Sequence, residues 1–398
     1  MDRFNYVLID HYYHKMTKST SFIEQIFGPI ADGKTVFLDS FSEARLESLL
    51  HIQCDFFVIN GYDVLVGFLI SHGRKVVSMV LYDASGDMPL YHWQHQKGAL
   101  LICLSETLHK RLQSLGIESV YSRYYPTESE TRVTFDTGVR VFFWERTPSV
   151  GLSVRWVAQK LKAWLVRPNH VHLHLCPDPA EFPSVGQISA RNLFKYASIS
   201  TSTWFGHRKD YEECLQHSNV FFAPRAAEGV GMSFLEAMSL GMVVIALDSP
   251  TMNEYIQDGI NGILLKSLES DLPDVSVNDL EKIGEAAQRS IAQGHEFWKT
   301  ESTWLANHIQ IYARSTTLPR RDPIPVKEAA RIAQLAPRSR ARYLWAIYCA
   351  DDARRRFLLR RVGLISARQR LGESWPVTTH LMMMMIRFVA KILQRVSR

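Results

Sequence analysis

The amino-acid sequence predicts an α/β protein with two doubly wound, Rossmann-like domains that face a cleft, plus a basic helical C-terminal tail. Three observations lead to this prediction. The chain has 398 residues, more than one hydrophobic core usually organises. Short apolar runs alternate with helical segments through residues 1–265, as in parallel sheets with helical crossovers. The alternation stops at a polar stretch near residue 130 and then begins again.

The composition is that of a folded globular chain, with 46% hydrophobic and 22% charged residues. The five cysteines are widely spaced and form no C-x-x-C pair. This argues against a disulfide framework or a zinc ribbon and favours a reducing compartment. The amino terminus lacks the pattern of a signal peptide, and no apolar run reaches the length of a membrane-spanning helix.

Residues 1–130 are assigned to the first domain. Its apolar runs are β-branched or aromatic and are bounded by Asp, Gly, Asn or Ser, as expected of strands buried on both faces. The predicted strands are Tyr6–Ile9, Thr35–Leu38, Phe56–Ile59, Val76–Leu81 and Leu100–Leu104. A helix is predicted for Ser105–Leu115 and is closed by Gly116.

A polar segment, Pro126–Thr131, is the predicted linker, and residues 138–315 are assigned to the second domain. Its predicted strands are Val139–Trp144, Val171–Leu175, Ile199–Trp204, Val220–Ala223 and Met242–Leu247. Apolar residues at helical spacing between Phe297 and Tyr312 predict a long helix that closes this domain and can pack back on the first. Two such domains place a ligand cleft between the carboxyl ends of their strands.

Charge is distributed unevenly along the chain. Residues 320–398 contain 18 Lys and Arg against 5 Asp and Glu, a net +13, so that the total of +6 leaves −7 for residues 1–319. Cations and apolar residues in Leu381–Arg398 have the spacing of a helix in a membrane interface. We therefore expect the tail, residues 320–398, to meet an anionic membrane surface; an oligomerisation or packing helix is the alternative. No nucleic-acid partner is expected.

The segment Phe221–Met238 carries the strongest chemical signal. A strand is followed by a loop with Gly229 and Gly231 and then by a helix predicted from near Ser233 to Gly241. Glycines let backbone amides approach a ligand closely. The unpaired N–H groups and the dipole at a helix start suit a diphosphate.

Two carboxylates flank this predicted anion site. Glu228 lies in the loop and Glu236 in the first turns of the helix, where one can accept hydrogen bonds from a sugar and the other from a ribose. Ser233-x-x-Glu236 is also a capping box, in which the two side chains bind free amides of the helix start. Both interpretations of Glu236 stay open from these residues alone.

The spacing Glu228-x7-Glu236 resembles the Glu-x7-Glu segment of the retaining GT-B glycosyltransferases, glycosyltransferase family 4. The order of strands and helices in the body of the chain agrees with the GT-B fold. The other segments that carry the resemblance are Pro224–Gly231, Glu236–Gly241, Val243–Ala246, Asn253–Gly262, Trp204–Gly206 and Tyr211–Ser218.

The resemblance implies roles for individual residues. Glu228 is expected to hold the donor sugar hydroxyls, and Glu236 the nucleotide ribose. Arg146, just after the first strand of the second domain, is expected to neutralise the leaving diphosphate. The backbone around the diphosphate and donor sugar is expected to come from Gly229, Gly231, Met232, Ser233, Phe234 and Leu235. The resemblance also implies that no metal and no cofactor is needed, which agrees with the lack of an Asp-x-Asp motif.

The sequence departs from the family pattern in three places. No Lys follows Arg146 closely, so another cation is needed beside the diphosphate, and Arg225 and Lys209 are the candidates. The usual His before the acidic residue after the fourth strand is replaced by Tyr, so the donor contact of that His is missing; the acidic residue, Asp83, is the candidate catalytic base. The glycine-rich first loop is replaced by Asp10–Lys18, which leaves the acceptor open.

Two histidine pairs have spacings that suit metal ligands. These are His11 with His14, and His172 with His174. Neither pair has a third ligand nearby in the sequence, so packing or surface roles are expected and no metal site is predicted.

Together these observations predict a hexosyltransferase-type enzyme that moves a sugar from a nucleotide-sugar to a saccharide or lipid-linked acceptor with retention of configuration. Surface polysaccharide or lipopolysaccharide synthesis is the expected setting. The expected location is cytoplasmic and peripheral on the inner face of the plasma membrane. Two alternatives stay open: a nucleotide-sugar epimerase or phosphorylase on the same fold, and a non-catalytic, basic-tailed binding protein.

Overall fold

The computed structural model describes residues 3–17, 19–178, 184, 192–315, 317–319 and 321–335. The predicted interfacial helix, Leu381–Arg398, and most of the predicted tail lie outside the described residues. None of the described helices combines the length and the apolar character needed to cross a membrane.

The first domain is a parallel sheet with helices between its strands. The strands are β1 Phe4–His11, β2 Ala31–Leu38, β3 Phe56–Asn60, β4 Val76–Val80, β5 Leu100–Cys103 and β6 Val120–Tyr121. The helices are α1 His14–Thr17, α2 Phe22–Phe27, α3 Glu43–Leu50, α4 Asp63–Ser71, α5 Tyr82–Ser85, α6 Leu90–Gln94 and α7 Glu106–Ser114. The strand order is β2-β1-β3-β4-β5-β6.

Burial explains why the sequence identifies these strands. Every residue of β3 and β4 is buried, because helices cover both faces of the sheet. At the sheet edge, β2 begins at Ala31, four residues earlier than the predicted Thr35, because the exposed residues 32–34 lack an apolar run yet pair with β1. Helix α7 begins as predicted, with the Ser105 hydroxyl accepting a hydrogen bond from the Leu108 amide.

The second domain repeats this design. Its strands are β7 Val139–Trp144, β8 Pro168–His174, β9 Ser198–Ser202, β10 Val220–Phe222, β11 Val243–Leu247 and β12 Ile263–Leu265. Its helices are α8 Val154–Ala163, α9 Arg208–Gln216, α10 Met232–Ser239, α11 Met252–Tyr255 and α12 Val277–Ser315, with a 3-10 turn at Pro148–Val150. The order is β12-β11-β10-β7-β8-β9, and all pairs are parallel. The predicted pair of doubly wound domains is confirmed.

A ladder of side chains joins β8 to β9. His172 makes hydrogen bonds of 2.7 Å to Ser200 and 2.8 Å to Ser202, and His174 makes one of 2.7 Å to Ser202. Burial lowers the pKa of His172 to about 4 and that of His174 to about 3, so both rings are neutral. These bonds give the two histidines a structural role.

Helix α12 connects the two domains over 39 residues. Leu280 near its start lies in the core of the second domain. Further along, the Trp298 indole donates to Gln25 of α2 at 3.3 Å, and the Tyr312 hydroxyl donates to the Gly98 carbonyl at 2.9 Å. The helix predicted between Phe297 and Tyr312 is therefore the part that packs on the first domain.

Residues after α12 complete the first domain. Helix α13, Val326–Ala333, packs on α3, and its buried residues Ala330 and Ile332 share one core with Leu46. Thus the beginning of the segment that the sequence assigns to the tail, as far as Leu335, belongs structurally to the first domain.

A carboxylate of the second domain caps a helix of the first. Glu254 of α11 accepts hydrogen bonds from the Ser105 hydroxyl at 2.7 Å and from the amides of Glu106 at 2.7 Å and Thr107 at 3.1 Å. These are the first amides of α7, where a negative charge is also favoured by the helix dipole.

Candidate active site

A cavity of about 290 Å³ lies between the two domains. Its walls are formed by segments that follow the carboxyl ends of strands in both sheets, where doubly wound domains bind ligands. Most of the residues that the sequence assigns to the site line this cavity, whereas Phe234, Leu235 and the candidate Lys209 do not. The residues that line it are Asp83, Arg146, Arg225, Glu228, Gly229, Gly231, Met232, Ser233 and Glu236.

The loop before α10 depends on two glycines. Gly231 has a φ of 81°, and a Cβ placed there would lie 1.9 Å from the Phe234 ring. At Gly229 a Cβ would lie 2.9 Å from Asp83 Oδ1 and 3.0 Å from Leu81 Cβ, both in the first domain. Gly231 therefore allows the turn into the helix, and Gly229 allows the two walls of the cavity to approach each other.

Gly231 is the N-cap of α10, and no side chain in the described part of the chain caps this helix. Among the described residues, the amides of Met232 and Ser233 have no hydrogen-bond partner. The amides of Phe234 and Leu235, in contrast, donate to the Gly231 carbonyl at 3.1 Å, and both side chains are fully buried in the core. The amides left for an anion are thus those at the start of the helix.

The capping-box interpretation of Ser233 and Glu236 is wrong. Ser233 lies inside the helix, and Glu236 pairs with Arg208, whose Nη2 lies 2.6 Å from Glu236 Oε1. Burial raises the pKa of Glu236 although Arg208 opposes this shift. Glu236 is therefore directed to the cavity rather than to its own helix terminus.

Glu228 is buried with one oxygen unsatisfied. No described residue makes a hydrogen bond to its Oε1, and its Oε2 lies 3.9 Å from Arg225 Nη1. Burial raises the pKa of Glu228, although Arg225 and Arg146 lower it. A buried acceptor without a partner is costly unless a ligand supplies the donor, so the cavity is chemically prepared for a hydroxyl group.

Arg146 is held by two neighbours. Its Nε donates to Asp178 Oδ1 at 2.9 Å, and its guanidinium lies 4.7 Å from the Trp144 ring centroid. Burial works to lower the pKa of Arg146, but the carboxylates of Glu228 and Asp178 outweigh it and raise that pKa. The result is a fixed, permanently charged cation at the cavity wall.

Arg225 is the second cation of the cavity. Its Nη1 donates to Asp83 Oδ2 across the cleft at 2.8 Å, and its Nη2 lies 3.8 Å from Asp178 Oδ2. Lys209, the other candidate for the missing lysine, has a side chain that is 82% exposed and pairs with Glu213. Of the two candidates, Arg225 alone lines the cavity.

The sequence did not identify several residues of the cavity. Arg208 lines it beside Glu236, and the Tyr211 hydroxyl is buried without a partner in the described residues. On the first domain, the His14 ring reaches buried Asp10 at 2.6 Å, and Tyr13 reaches Asp178 at 3.3 Å. Arg208 lies two residues after Trp204-Phe205-Gly206, but its partner Glu236 is 28 residues away in the chain, so no sequence pattern indicated the pair.

No group of three or more His, Cys, Asp or Glu side chains with metal-site geometry occurs among the described residues. His14 instead pairs with Asp10, which also accepts hydrogen bonds from Thr20 at 2.7 Å and Asn60 at 3.0 Å. The pair His11 and His14 is therefore part of a polar cluster around Asp10, and among the described residues this cluster does not form a metal site.

Residues 195–297 match the family model described as "Glycosyl transferases group 1". The matched region contains Arg208, Arg225, Glu228 and Glu236 and thus most of the second-domain wall of the cavity, although Arg146 lies outside it. These findings support a GT-B glycosyltransferase. A curated relative, "Putative glycosyltransferase EpsD" of Bacillus subtilis (strain 168), is 38% identical over 63 residues. This match spans 16% of the chain and 16% of the relative.

Solved structures share the fold over most of the chain. Sucrose-phosphate synthase from Thermosynechococcus elongatus is 12% identical, with a TM-score of 0.57 over 79% of this chain and 100% of that one. Anabaena HepE in complex with UDP-glucose is 12% identical, with a TM-score of 0.50 over 77% of this chain and 100% of that one. The apo form of the lipopolysaccharide outer core galactosyltransferase WaaB is 12% identical, with a TM-score of 0.50 over 77% of this chain and 99% of that one. At these identities the likeness concerns the fold, and it confirms the GT-B prediction.

Proposed function

We propose that this protein transfers a sugar from a nucleotide-sugar donor to a saccharide or lipid-linked acceptor with retention of the anomeric configuration. The observation that carries the proposal is the unsatisfied, buried Oε1 of Glu228, which lines the cleft beside two arginines and the start of α10. A neutral, polyhydroxylated group next to a diphosphate satisfies both requirements of this cavity.

The donor is held by cations and backbone amides at its diphosphate, in the middle, and by a carboxylate at each end. The diphosphate binds the Met232 and Ser233 amides and the guanidinium groups of Arg146 and Arg225. The sugar hydroxyls bind Glu228, and the ribose hydroxyls bind Glu236. Seven residues separate the two glutamates along the chain, which places one on each side of the helix start.

Arg146 stabilises the departing group. Negative charge builds on the β-phosphate as the glycosidic bond breaks, and a cation fixed beforehand by Asp178 and Trp144 lowers the energy of that state. Arg225 supplies the second positive charge in place of the lysine that usually follows Arg146 in the family.

The acceptor hydroxyl attacks from the side of the departing diphosphate. Its oxygen bonds to the anomeric carbon as the bond to the phosphate oxygen breaks, and the hydroxyl proton passes to that phosphate oxygen. The reaction then depends on positioning and electrostatics, with no protein nucleophile and no metal. Asp83, the candidate base from the sequence, accepts a hydrogen bond from Arg225 and in this scheme anchors that cation.

Surface polysaccharide or lipopolysaccharide synthesis at the inner face of the plasma membrane is the setting we propose. The support is the charge of residues 320–398, with 18 basic against 5 acidic residues. Such a segment is attracted to anionic headgroups, where a lipid-linked acceptor is found.

A donor screen tests the proposal directly. UDP, GDP and ADP and their glucose or mannose conjugates are added separately, and the melting temperature is measured. One nucleotide series is expected to stabilise the protein, because a ligand that binds the native state alone raises its stability. The stabilising conjugate is then incubated with saccharide acceptors, and acceptor-dependent release of the nucleoside diphosphate is measured. If no conjugate stabilises the protein or is consumed, the proposal fails; turnover without any acceptor points to an epimerase.

A further inference from the structure

Asp178 of the second domain contacts both Arg146 of its own domain and Tyr13 of the first domain. It follows β8, and its side chain is 15% exposed. Its Oδ1 accepts the Arg146 Nε hydrogen at 2.9 Å and the Tyr13 hydroxyl at 3.3 Å. No sequence motif marked this residue.

The hydrogen bond to Asp178 fixes the orientation of the Arg146 guanidinium group. An arginine that donates through Nε to a carboxylate has its planar guanidinium locked, and the Trp144 face at 4.7 Å restricts the remaining rotation. Among the described residues no other hydrogen bond holds this guanidinium. Its two terminal nitrogens are therefore left for a ligand in the cleft.

Tyr13 brings the first domain into this arrangement. Its ring packs edge to face on Trp204 of the second domain, with centroids 5.4 Å apart. Burial raises the pKa of Tyr13, so its hydroxyl stays protonated and serves as a donor. Asp178 has this donor only when the two walls are as close as they are in this structure.

We propose that Asp178 is a positioning residue that aims Arg146 at the leaving diphosphate, and that Tyr13 completes this arrangement when the cleft is closed. The inference rests on the proposed function, because it needs a diphosphate in the cleft. Asp178 has two separable effects. Its carboxylate oxygen orients Arg146 by accepting a hydrogen bond, whereas its negative charge partly neutralises the cations that the diphosphate must bind.

Two substitutions separate these effects. Asp178→Asn keeps an oxygen that accepts from Arg146 and Tyr13 but removes the charge. Asp178→Ala removes both. We expect Asp178→Asn to bind the nucleoside diphosphate more tightly than the wild type and to keep most of its kcat. We expect Asp178→Ala to lose about 100-fold in kcat, the size of effect that a misplaced catalytic group has.

A double-mutant cycle provides the readout that a purely structural role would not give. The full-length proteins Asp178→Ala, Arg146→Ala and the double variant are compared in kcat, with the nucleotide-sugar that stabilises the wild type as donor. If Asp178 acts through Arg146, the double variant is no slower than Arg146→Ala alone. Tyr13→Phe is expected to lower kcat by a smaller factor and to leave diphosphate binding unchanged. Asp274→Ala, at an exposed position, is the control.

The outcomes separate the two proposals. If the wild type turns over a donor but Asp178→Ala keeps kcat within twofold, or the losses in the double variant multiply, the positioning role is refuted while the transferase function stands. Weaker diphosphate binding by Asp178→Asn would also contradict the proposal that the negative charge of Asp178 opposes diphosphate binding. If the wild type binds no nucleoside diphosphate and consumes no nucleotide-sugar, both proposals fall.

Discussion

Arg225 Nη1 of the second domain lies 2.8 Å from Asp83 Oδ2 of the first domain, so an ion pair joins the two walls of the cleft. The same guanidinium is 3.9 Å from Glu228 and 3.8 Å from Asp178. Three carboxylates thus surround a cation that the proposed diphosphate also needs. Donor binding has to compete with Asp83 for Arg225, and this couples nucleotide affinity to the closeness of the two domains.

Replacement of Arg225 tests which cation stands in for the missing lysine. We expect Arg225→Ala to weaken UDP or GDP binding by roughly tenfold or more, because a charge-assisted hydrogen bond contributes about 1.5–3 kcal/mol. Lys209→Ala is the matched control, since Lys209 is a nearby cation outside the cavity. Calorimetric titration measures both affinities. Equal effects of the two substitutions on affinity would show that Arg225 does not bind the diphosphate.

Replacement of Glu228 tests the proposed contact with the donor sugar. Glu228→Ala should lower kcat/KM by at least about 100-fold, because the sugar hydroxyls lose their acceptor. The fold should survive, since no described residue depends on a hydrogen bond to the side-chain Oε1. Glu47→Ala, an exposed glutamate of α3, serves as control. Near-normal turnover of a folded Glu228→Ala protein would show that the sugar is held elsewhere.

Glu254 is expected to stabilise the closed arrangement of the domains. Glu254→Ala leaves the Glu106 and Thr107 amides at the start of α7 without their acceptor, so the free energy of unfolding should fall by about 1–3 kcal/mol. Urea denaturation measures the loss, with exposed Glu118→Ala as the comparison. Small-angle X-ray scattering should show a larger radius of gyration. An unchanged stability and radius would make this contact dispensable.

The ladder between β8 and β9 predicts how stability depends on pH. The folded-state pKa values of His172 and His174 are about 4 and 3, below the ordinary value of 6.5. The unfolded chain therefore binds more protons between these values, and stability falls as pH drops through 6.5 towards 4. Each histidine contributes a slope of about 1.4 kcal/mol per pH unit in that window.

Urea denaturation at pH 7.5, 6 and 5 measures this slope, and His172→Asn should flatten it. Burial tends to raise the pKa values of Asp10 and Asp63, but hydrogen bonds and neighbouring histidines outweigh it and lower both pKa values. The stability that these two carboxylates contribute is therefore lost only below about pH 4. They do not interfere between pH 5 and 7.5. Because the raised pKa values of Glu228 and Glu236 give a slope of the opposite sign, the decisive comparison is between the two proteins. An equal slope in the wild type and in His172→Asn would contradict a neutral, buried His172.

Removal of the last residues tests membrane association. A chain that ends before Leu381 lacks four of the basic residues of the tail, together with the predicted apolar face. We expect it to shift from the membrane fraction to the soluble fraction, with nucleotide affinity unchanged, because the cleft is formed by residues 13–236. Flotation with vesicles that contain phosphatidylserine measures the difference. Equal flotation of both proteins would count against a membrane role for this segment.

The strands were predictable because both faces of each sheet are covered. Runs such as Phe56–Ile59 are wholly buried, and their continuous hydrophobicity is readable in the sequence. The two strands that no apolar run indicated, β6 and β12, have only two and three residues. Segments of this length carry no period that distinguishes a strand from a turn. The equally short β10 was predicted because its run continues into the buried Ala223.

The acidic and glycine residues of the site were predictable because they lie close together in one segment. Asp178 was not, since its role depends on Arg146, which is 32 residues away in the chain. The start of α10 was predicted to within one residue, but its capping was not. Serine is a preferred N-cap residue, so the sequence suggested Ser233 for that position. In the structure Gly231 takes the N-cap position, with a positive φ that the sequence does not reveal.

The packing of Ile324, Ala330 and Ile332 against α3 also bears on biosynthesis. The ribosome makes these residues after the entire second domain, yet they cover Leu46 and its neighbours in the amino-terminal half. During translation this apolar face stays open until some 330 residues have emerged, and it is a natural place for a chaperone to bind the nascent chain. A premature stop within the helix that ends at Ser315 would therefore damage the half of the protein that was made first.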